Sequence, residues 1–342
     1  MIQPRLHIHF SRQQQKAFCF GDTYIPHKGE YLLNHARSGI VMALQAILPN
    51  GGRVGVIAYN CHTVANAILE AGCTPVFIDV TEDLHIDIAD LANKQMDAMV
   101  LTNLFGIHND LAPIQLALAH KPIIVDNAHG SGLPAEGDCT VYSINQGKFP
   151  SLGEGGILIV NNQDYIPAID KQYADIPAYT AMQEAKLFAT MLLKSIAYHP
   201  WIYGHITMRM KHSRTIADSR QLVILRKMAN GISRMYQNYI ASNNNEVECQ
   251  LANAALIQTL LSVLSSVQTV WWGDNAFMAI ARCKDVSTVQ QFMAEHGVET
   301  ATHFANCISW AKQLGYQDGS CPIAEKLVHE LVMIPTYKTI RL

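Results

Sequence analysis

Apolar and polar positions in the first half of the chain follow a repeating rhythm. Short continuous apolar runs alternate with segments whose apolar residues recur at helical spacing. The runs GRVGVIAY (52–59), TPVFIDV (74–80), AMVLTNLFG (98–106), PIIVDNA (122–128), CTVYSIN (139–145) and GGILIVNN (155–162) predict strands. Between them HTVANAILEAG (62–72, ended by Gly72), Ile86–Lys94 and Leu111–Ala119 predict helices. Continuous β-branched runs mean strands buried on both faces, and helical crossovers mean that most of them run parallel. The expected class is therefore α/β, a mostly parallel sheet sandwiched by helices. Ligands collect at the carboxyl ends of such strands. Asn103, Asp126 and Ser143 fall at or near such ends, and Lys148 follows a few residues after one.

The second half reads differently. Residues 163–245 look helical and irregular, with the Asn-Asn-Asn at 243–245 a turn. From about 246 the pattern gives helices, a strand over WWGDNAFMAIARC (271–283) and a helix over VSTVQQFMAEHG (286–297), a smaller α+β domain. At 342 residues the chain exceeds what one core usually supports. The organisation expected is an N-terminal arm (1–30), a large domain (31–222) and a small C-terminal domain (223–342).

KLFATMLLKSIAYHPWIYGHI (186–206) is the most apolar region, interrupted by Lys194, His199 and Pro200. No run in it reaches the roughly 20 residues of a membrane span. It reads as a helix packed on the protein body; a helix resting on a membrane surface is the second reading.

Composition narrows the function. A net charge of −3 without a basic tract argues against nucleic acid as the main partner. Eight cysteines without a CxxC pair, and fifteen scattered histidines without HExxH, give no metal-site pattern and fit a reducing, cytoplasmic setting. The start MIQPRLHIHFSRQQQ lacks the apolar core of a signal peptide.

Three stretches could carry chemistry. In PIIVDNAHG, Asp126 ends an apolar strand and can anchor a loop or pair with a cationic ring nitrogen. In VYSINQGKFPSLGEGG, Lys148 stands among glycines at 147, 153, 155 and 156. A partly desolvated amine there becomes a nucleophile toward carbonyls, and Ser143 could donate to a phosphate. ARSGIVMALQAIL (36–48) opens a helix with small and polar residues, so its N–H groups, with Arg37 and Ser38, suit a phosphate. A phosphate cradle, an aspartate and a lysine in that order are what pyridoxal phosphate needs.

With these residues in place, the chain resembles the DegT/StrS group of sugar aminotransferases, which have the fold type I architecture of pyridoxal-phosphate (PLP) enzymes. VDNAHGSG matches the family's EDAAQAHG, YSINQGK its SFxxxK, GEGG (153–156) its GDGG, NLFG (103–106) its HLYG, and ARSGIVMAL its cradle. TVANAILEAGCTPVFIDV, GVETATHF (297–304) and CPIAEKLVHELVMIPTY (321–337) match further stretches. The resemblance implies Lys148 as the Schiff-base lysine and general base, and Asp126 as partner of the ring nitrogen. It implies His129 near the ring hydroxyl, and Ser143, Arg37 and Ser38 at the phosphate. Asn103, Glu154 and His303 fall on the substrate side. The family's ring-stacking aromatic is replaced in AYNCHT (58–63), where either Cys61 or His62 would face the ring.

LRKMANGIS (225–233) lacks the family's Asn-Tyr-Arg, which contacts the partner subunit's cofactor or the substrate. A branch of the family that removes a sugar hydroxyl has histidine in place of the lysine, so lysine at 148 favours transamination. An amine would pass from an amino acid, glutamate by resemblance, through pyridoxamine phosphate to a nucleotide-linked keto-sugar in surface polysaccharide or glycan synthesis. A homodimer is implied. The alternatives are a catalytically silent scaffold or regulatory protein, and another PLP enzyme such as a sugar dehydratase or cyclitol aminotransferase.

Overall fold

The structure is a computed structural model and describes residues 2–6, 8–207, 222–242 and 246–341. The expected turn at 243–245, and residues 208–221, lie outside the described residues. Seven strands form the large sheet: β1 (Glu30–Leu33), β2 (Arg53–Ile57), β3 (Thr74–Ile78), β4 (Ala98–Thr102), β5 (Ile123–Asn127), β6 (Cys139–Ser143) and β7 (Gly156–Val160). Their order is β1-β7-β6-β5-β4-β2-β3. Strands β3, β2, β4, β5 and β6 are parallel; β7 and β1 close one edge antiparallel. The chain passes from β2 outward to β3, then back across β2 to β4. That reversal is where α/β sheets bind ligands.

Every residue of β4 and β5 is buried, as unbroken apolar runs require. Val100 and Ile124 face a core built with α2 (Ala36–Ile47) and α3 (His62–Glu70). Met99, Leu101, Ile123 and Val125 face the other core, with α4 (Ile88–Ala92) and α5 (Leu111–Ala117). AMVLTNLFG is a strand only to Thr102; Leu104–Gly106 then forms a single 3₁₀ turn, with Phe105 in the left-handed region at φ 53°.

The N-terminal residues pack tightly. Helix α1 (Arg12–Phe20) starts at a Ser11/Gln14 capping box. Phe10 and Phe18 pack edge-on against Phe188 of α7 (Ala181–Ala197), which follows α6 (Ile166–Asp175), at 5.2 and 5.4 Å between ring centres. Phe18 also lies over Gly231 of α8 (Asn230–Ala241), where a Cβ would come within 2.4 Å of its ring. Helix α7 thus packs on the body through Phe188 and Met191 and leaves Leu193 and Ile196 exposed. Among the described residues no helix is long and apolar enough to cross a membrane.

The C-terminal part holds α9 (Glu246–Leu261), β8 (Val267–Trp271), β9 (Met278–Cys283), α10 (Val286–Glu295), α11 (Cys307–Lys312), α12 (Pro322–Glu330) and β10 (Leu331–Pro335). Its antiparallel sheet runs β10-β9-β8. The single strand expected over 271–283 is instead the end of β8, a turn, and β9. The turn is set by a close approach: Gly273 packs so tightly on the 104–106 turn that a Cβ would lie 2.2 Å from the Gly106 carbonyl carbon. Asp274 N–H donates to Gly106 O at 3.0 Å.

Candidate active site

A cavity of about 80 Å³ sits at the carboxyl ends of β2, β4, β5 and β6, lined among others by Arg37, Cys61, Asp126, His129, Ser143 and Lys148. Sheet topology alone brings these together, because parallel strands release successive loops on one edge.

Asp126, on β5, is 3% exposed. It accepts hydrogen bonds from Ala128 N–H (3.0 Å) and the Thr102 hydroxyl (3.2 Å). Burial raises its carboxyl above the ordinary range, against those two bonds and the Lys148 charge. Lys148 stands in the loop between β6 and β7. The loop folds back on Asn145, whose side-chain oxygen accepts Gly155 N–H at 2.8 Å and whose carbonyl accepts Lys148 N–H at 3.0 Å. Gly155, at φ 142°, must be glycine, since a Cβ would lie 2.7 Å from Ile144. Burial lowers the Lys148 amine below its ordinary value, while Cys61 and Asp126 pull it up. Among the described residues no hydrogen bond or ion pair holds that amine. It is a half-buried amine with its proton weakly held.

The structure separates Cys61 from His62. Cys61, capping α3, faces the cavity with its sulfur 3.1 Å from Thr63 Oγ1. Burial opposes its ionisation, but His62, Thr63 and the Lys148 charge outweigh it and bring the thiol down to about 7. His62 lies off the Asp126 cavity and packs onto Trp310, with ring centres 4.2 Å apart, in a neighbouring pocket that Cys61 also lines. His129 is 7% exposed and nearly parallel to Phe105 (5.3 Å) and Phe277 (4.7 Å). Its Nδ1 accepts Phe105 N–H at 3.2 Å, which leaves the proton on Nε2. Burial, with Lys148 and His303 nearby, holds it well below its ordinary value, so it is a neutral donor.

Four expected residues are engaged elsewhere. The Ser38 hydroxyl donates to Asn34 at 2.8 Å, off the cavity wall. Asn103, 1% exposed, is the hub of a network with Asn109 and Asn127. Glu154 accepts from the Tyr179 hydroxyl in a separate cavity facing α7. The His303 ring packs edge-on to Phe105 (5.8 Å), behind His129, and its carbonyl accepts the Tyr59 hydroxyl at 2.8 Å. Sequence reasoning passed over Thr102, Asn145 and the aromatic stack on His129. Thr102 carried a signal, as the polar residue ending an otherwise apolar strand.

The family model described as DegT/DnrJ/EryC1/StrS aminotransferase matches residues 23–342. The chain belongs to this family. It is 26% identical over 164 residues to a GDP-perosamine synthase of Caulobacter vibrioides, covering 44% of this chain and 43% of that protein, so the match spans less than half of that relative. A pleiotropic regulatory protein of Geobacillus stearothermophilus is 21% identical over 334 residues, covering 88% of this chain and 78% of that protein. The fold is shared with the sugar aminotransferase CalS13 of Micromonospora echinospora, with a TM-score of 0.73 at 16% identity, covering 100% and 96% of the two chains.

PLP is the cofactor of DegT-family aminotransferases. The residues here fit it. Asp126 is a buried carboxylate for a ring nitrogen, and Lys148 is an amine with no internal partner among the described residues. Arg37, at the start of α2, has a buried Nε with no hydrogen-bond partner among the described residues, as expected of a group kept for an anion.

Proposed function

We propose that this protein transfers an amine from an amino acid, glutamate in the first instance, to a nucleotide-linked keto-sugar in surface polysaccharide or glycan synthesis. The observation that carries the reading is that Lys148 and Asp126 share one cavity, where Cys61 and then Asp126 favour the charged Lys148 amine against its burial and Lys148 favours the Asp126 carboxylate. When bound, PLP supplies an electron sink for the carbon bearing the amine. The Asp126 carboxylate would hold the proton of the ring nitrogen. Arg37, Ser143 and the start of α2 would bind the phosphate, and His129 Nε2–H would donate to the ring hydroxyl. Cys61 would stand where the family has its stacking aromatic. Lys148 would hold the cofactor through its amine and, once a substrate amine has displaced it, would carry a proton between the two carbons that exchange the amine. A half-buried amine with a lowered affinity for protons suits both tasks.

The active chain is a cytoplasmic homodimer in this reading, checked by light scattering. The function is tested by recording the visible absorption of the PLP-loaded protein before and after glutamate. Mass analysis of nucleotide keto-sugars incubated with it follows. A band that shifts with glutamate, and a sugar that gains an amine, are the expected results. A band that no amino acid moves would return the protein to the silent-scaffold reading.

A further inference from the structure

Helix α7 is apolar on two sides, and the protein covers one of them. Phe188, Met191 and Ser195 face the body. Phe188 packs on Phe10 and Phe18, Met191 is buried, and Ser195 Oγ accepts Phe10 N–H at 2.9 Å. On the opposite side Met182, Ala185, Ala189, Leu193 and Ile196 recur at steps of three and four, which places them on one helix face. Met182, Leu193 and Ile196 are 79, 68 and 52% exposed. Trp201, in the short turn Pro200–Ile202 beyond the helix, is 60% exposed. A helix apolar on both sides is ordinarily covered on both, and a continuous exposed apolar stripe marks a contact surface.

Charge and area decide what the stripe contacts. Lys186 and Lys194 flank it, both exposed. Glu184 is the only acid in residues 181–207, and it turns to the body, where it accepts Asn230 N–H at 2.8 Å. Lys194 Nζ donates to Gln146 Oε1 at 2.8 Å and keeps two further N–H groups to give. The stripe therefore has a cationic border. A two-fold contact with a second copy repeats the same surface on both sides, so it brings no acid from this helix to either lysine. The stripe is also narrow. The 17 residues of α7 make a helix about 25 Å long, so a face roughly 10 Å wide offers about 250 Å², well below the roughly 800 Å² per partner of a stable protein interface. A bilayer surface demands neither that area nor a matching shape. Apolar side chains enter the headgroup boundary, lysines meet anionic phosphates, and an indole sits between the two.

We propose that the outer face of α7 rests on an anionic lipid bilayer. Met182, Leu193, Ile196 and Trp201 enter the headgroup boundary, and Lys186 and Lys194 pair with lipid phosphates. The helix lies along the surface, since it is not long and apolar enough to cross.

The test is co-sedimentation of the PLP-loaded full chain with vesicles of phosphatidylcholine alone and of an equal mixture of phosphatidylcholine and phosphatidylglycerol. Binding to the mixed vesicles should be about tenfold tighter or more, and should weaken as salt rises. Replacing Leu193→Gln and Ile196→Gln together should weaken it by about tenfold or more. Lys186→Gln and Lys194→Gln should each weaken it by about fivefold. Tryptophan emission should shift to the blue on binding, and Trp201→Phe should remove that shift. All these positions are exposed, so the variants should keep the wild-type melting temperature, which separates lost binding from lost folding. No sedimentation with the mixed vesicles, equal binding to both vesicle types, or binding that survives the Leu193 and Ile196 double substitution would overturn the proposal. So would a double variant that light scattering, without lipid, shows falling from dimer to monomer, because the stripe would then be a contact between copies.

Discussion

Asp79 and Ala324 are 245 positions apart in the chain and joined by a 2.8 Å hydrogen bond. Asp79 follows β3 at the edge of the large sheet, and Ala324 lies in the first turn of α12. The second carboxylate oxygen accepts Ile323 N–H at 2.9 Å. A side chain from the edge of the sheet thus caps a helix of the C-terminal part and holds it against the carboxyl end of β3.

Replacing Asp79 tests that joint. Asp79→Ala leaves two N–H groups at a helix start unpaired and should destabilise the fold by about 2 kcal/mol. Urea denaturation should show a lower midpoint with an unchanged slope.

Lys148→Met should separate stability from function. It removes an amine whose burial disfavours its charge, so the cofactor-free protein should melt at a higher temperature. The same change should abolish the glutamate-dependent band shift and lower turnover by roughly 10²–10⁴-fold.

Asp126→Asn keeps the shape of the site and removes its anion. Loss of a charge-assisted bond in a desolvated site costs about 3 kcal/mol, so turnover should fall by about 100-fold. Steady-state kinetics at saturating PLP make the comparison.

The Cys61 thiol, at about 7, should be alkylated by iodoacetamide with a pH midpoint near that value. Cys139, buried in β6 and pushed up to about 12, should stay unmodified. Because the Lys148 charge favours the thiolate, Lys148→Met should move the Cys61 midpoint upward. Mass spectrometry of the labelled peptides reads both.

His129 should make the fold sensitive to acid. Its ordinary value is 6.5, and burial holds it well below that. Above pH 6.5 the histidine is neutral in the folded and unfolded chain alike. Below it the unfolded chain binds a proton that the folded one refuses, so stability falls as pH drops. His35, also lowered chiefly by burial, adds a slope of the same sign. His129→Gln should flatten part of the decline in melting temperature between about pH 6.5 and 5.

The apolar runs by themselves determined the strands buried on both faces, because Met99–Leu101 and Ile123–Val125 leave no polar side to turn to water. They also determined that Asp126 and Ser143 end strands, with Lys148 in the glycine-rich loop beyond. Periodicity is a local property, and these positions follow from it. What faces the cavity depends on partners distant in sequence. Trp310 draws His62 away and leaves Cys61 in the site. Asn34 holds the Ser38 hydroxyl, and Asn109 with Asn127 satisfies Asn103. The close approach of Gly273 to Gly106 divides what reads as one strand into two. The sheet's strand order, which no single segment encodes, decided that Asp126, Cys61 and Lys148 meet, because only packing against both cores sets which strand lies beside which.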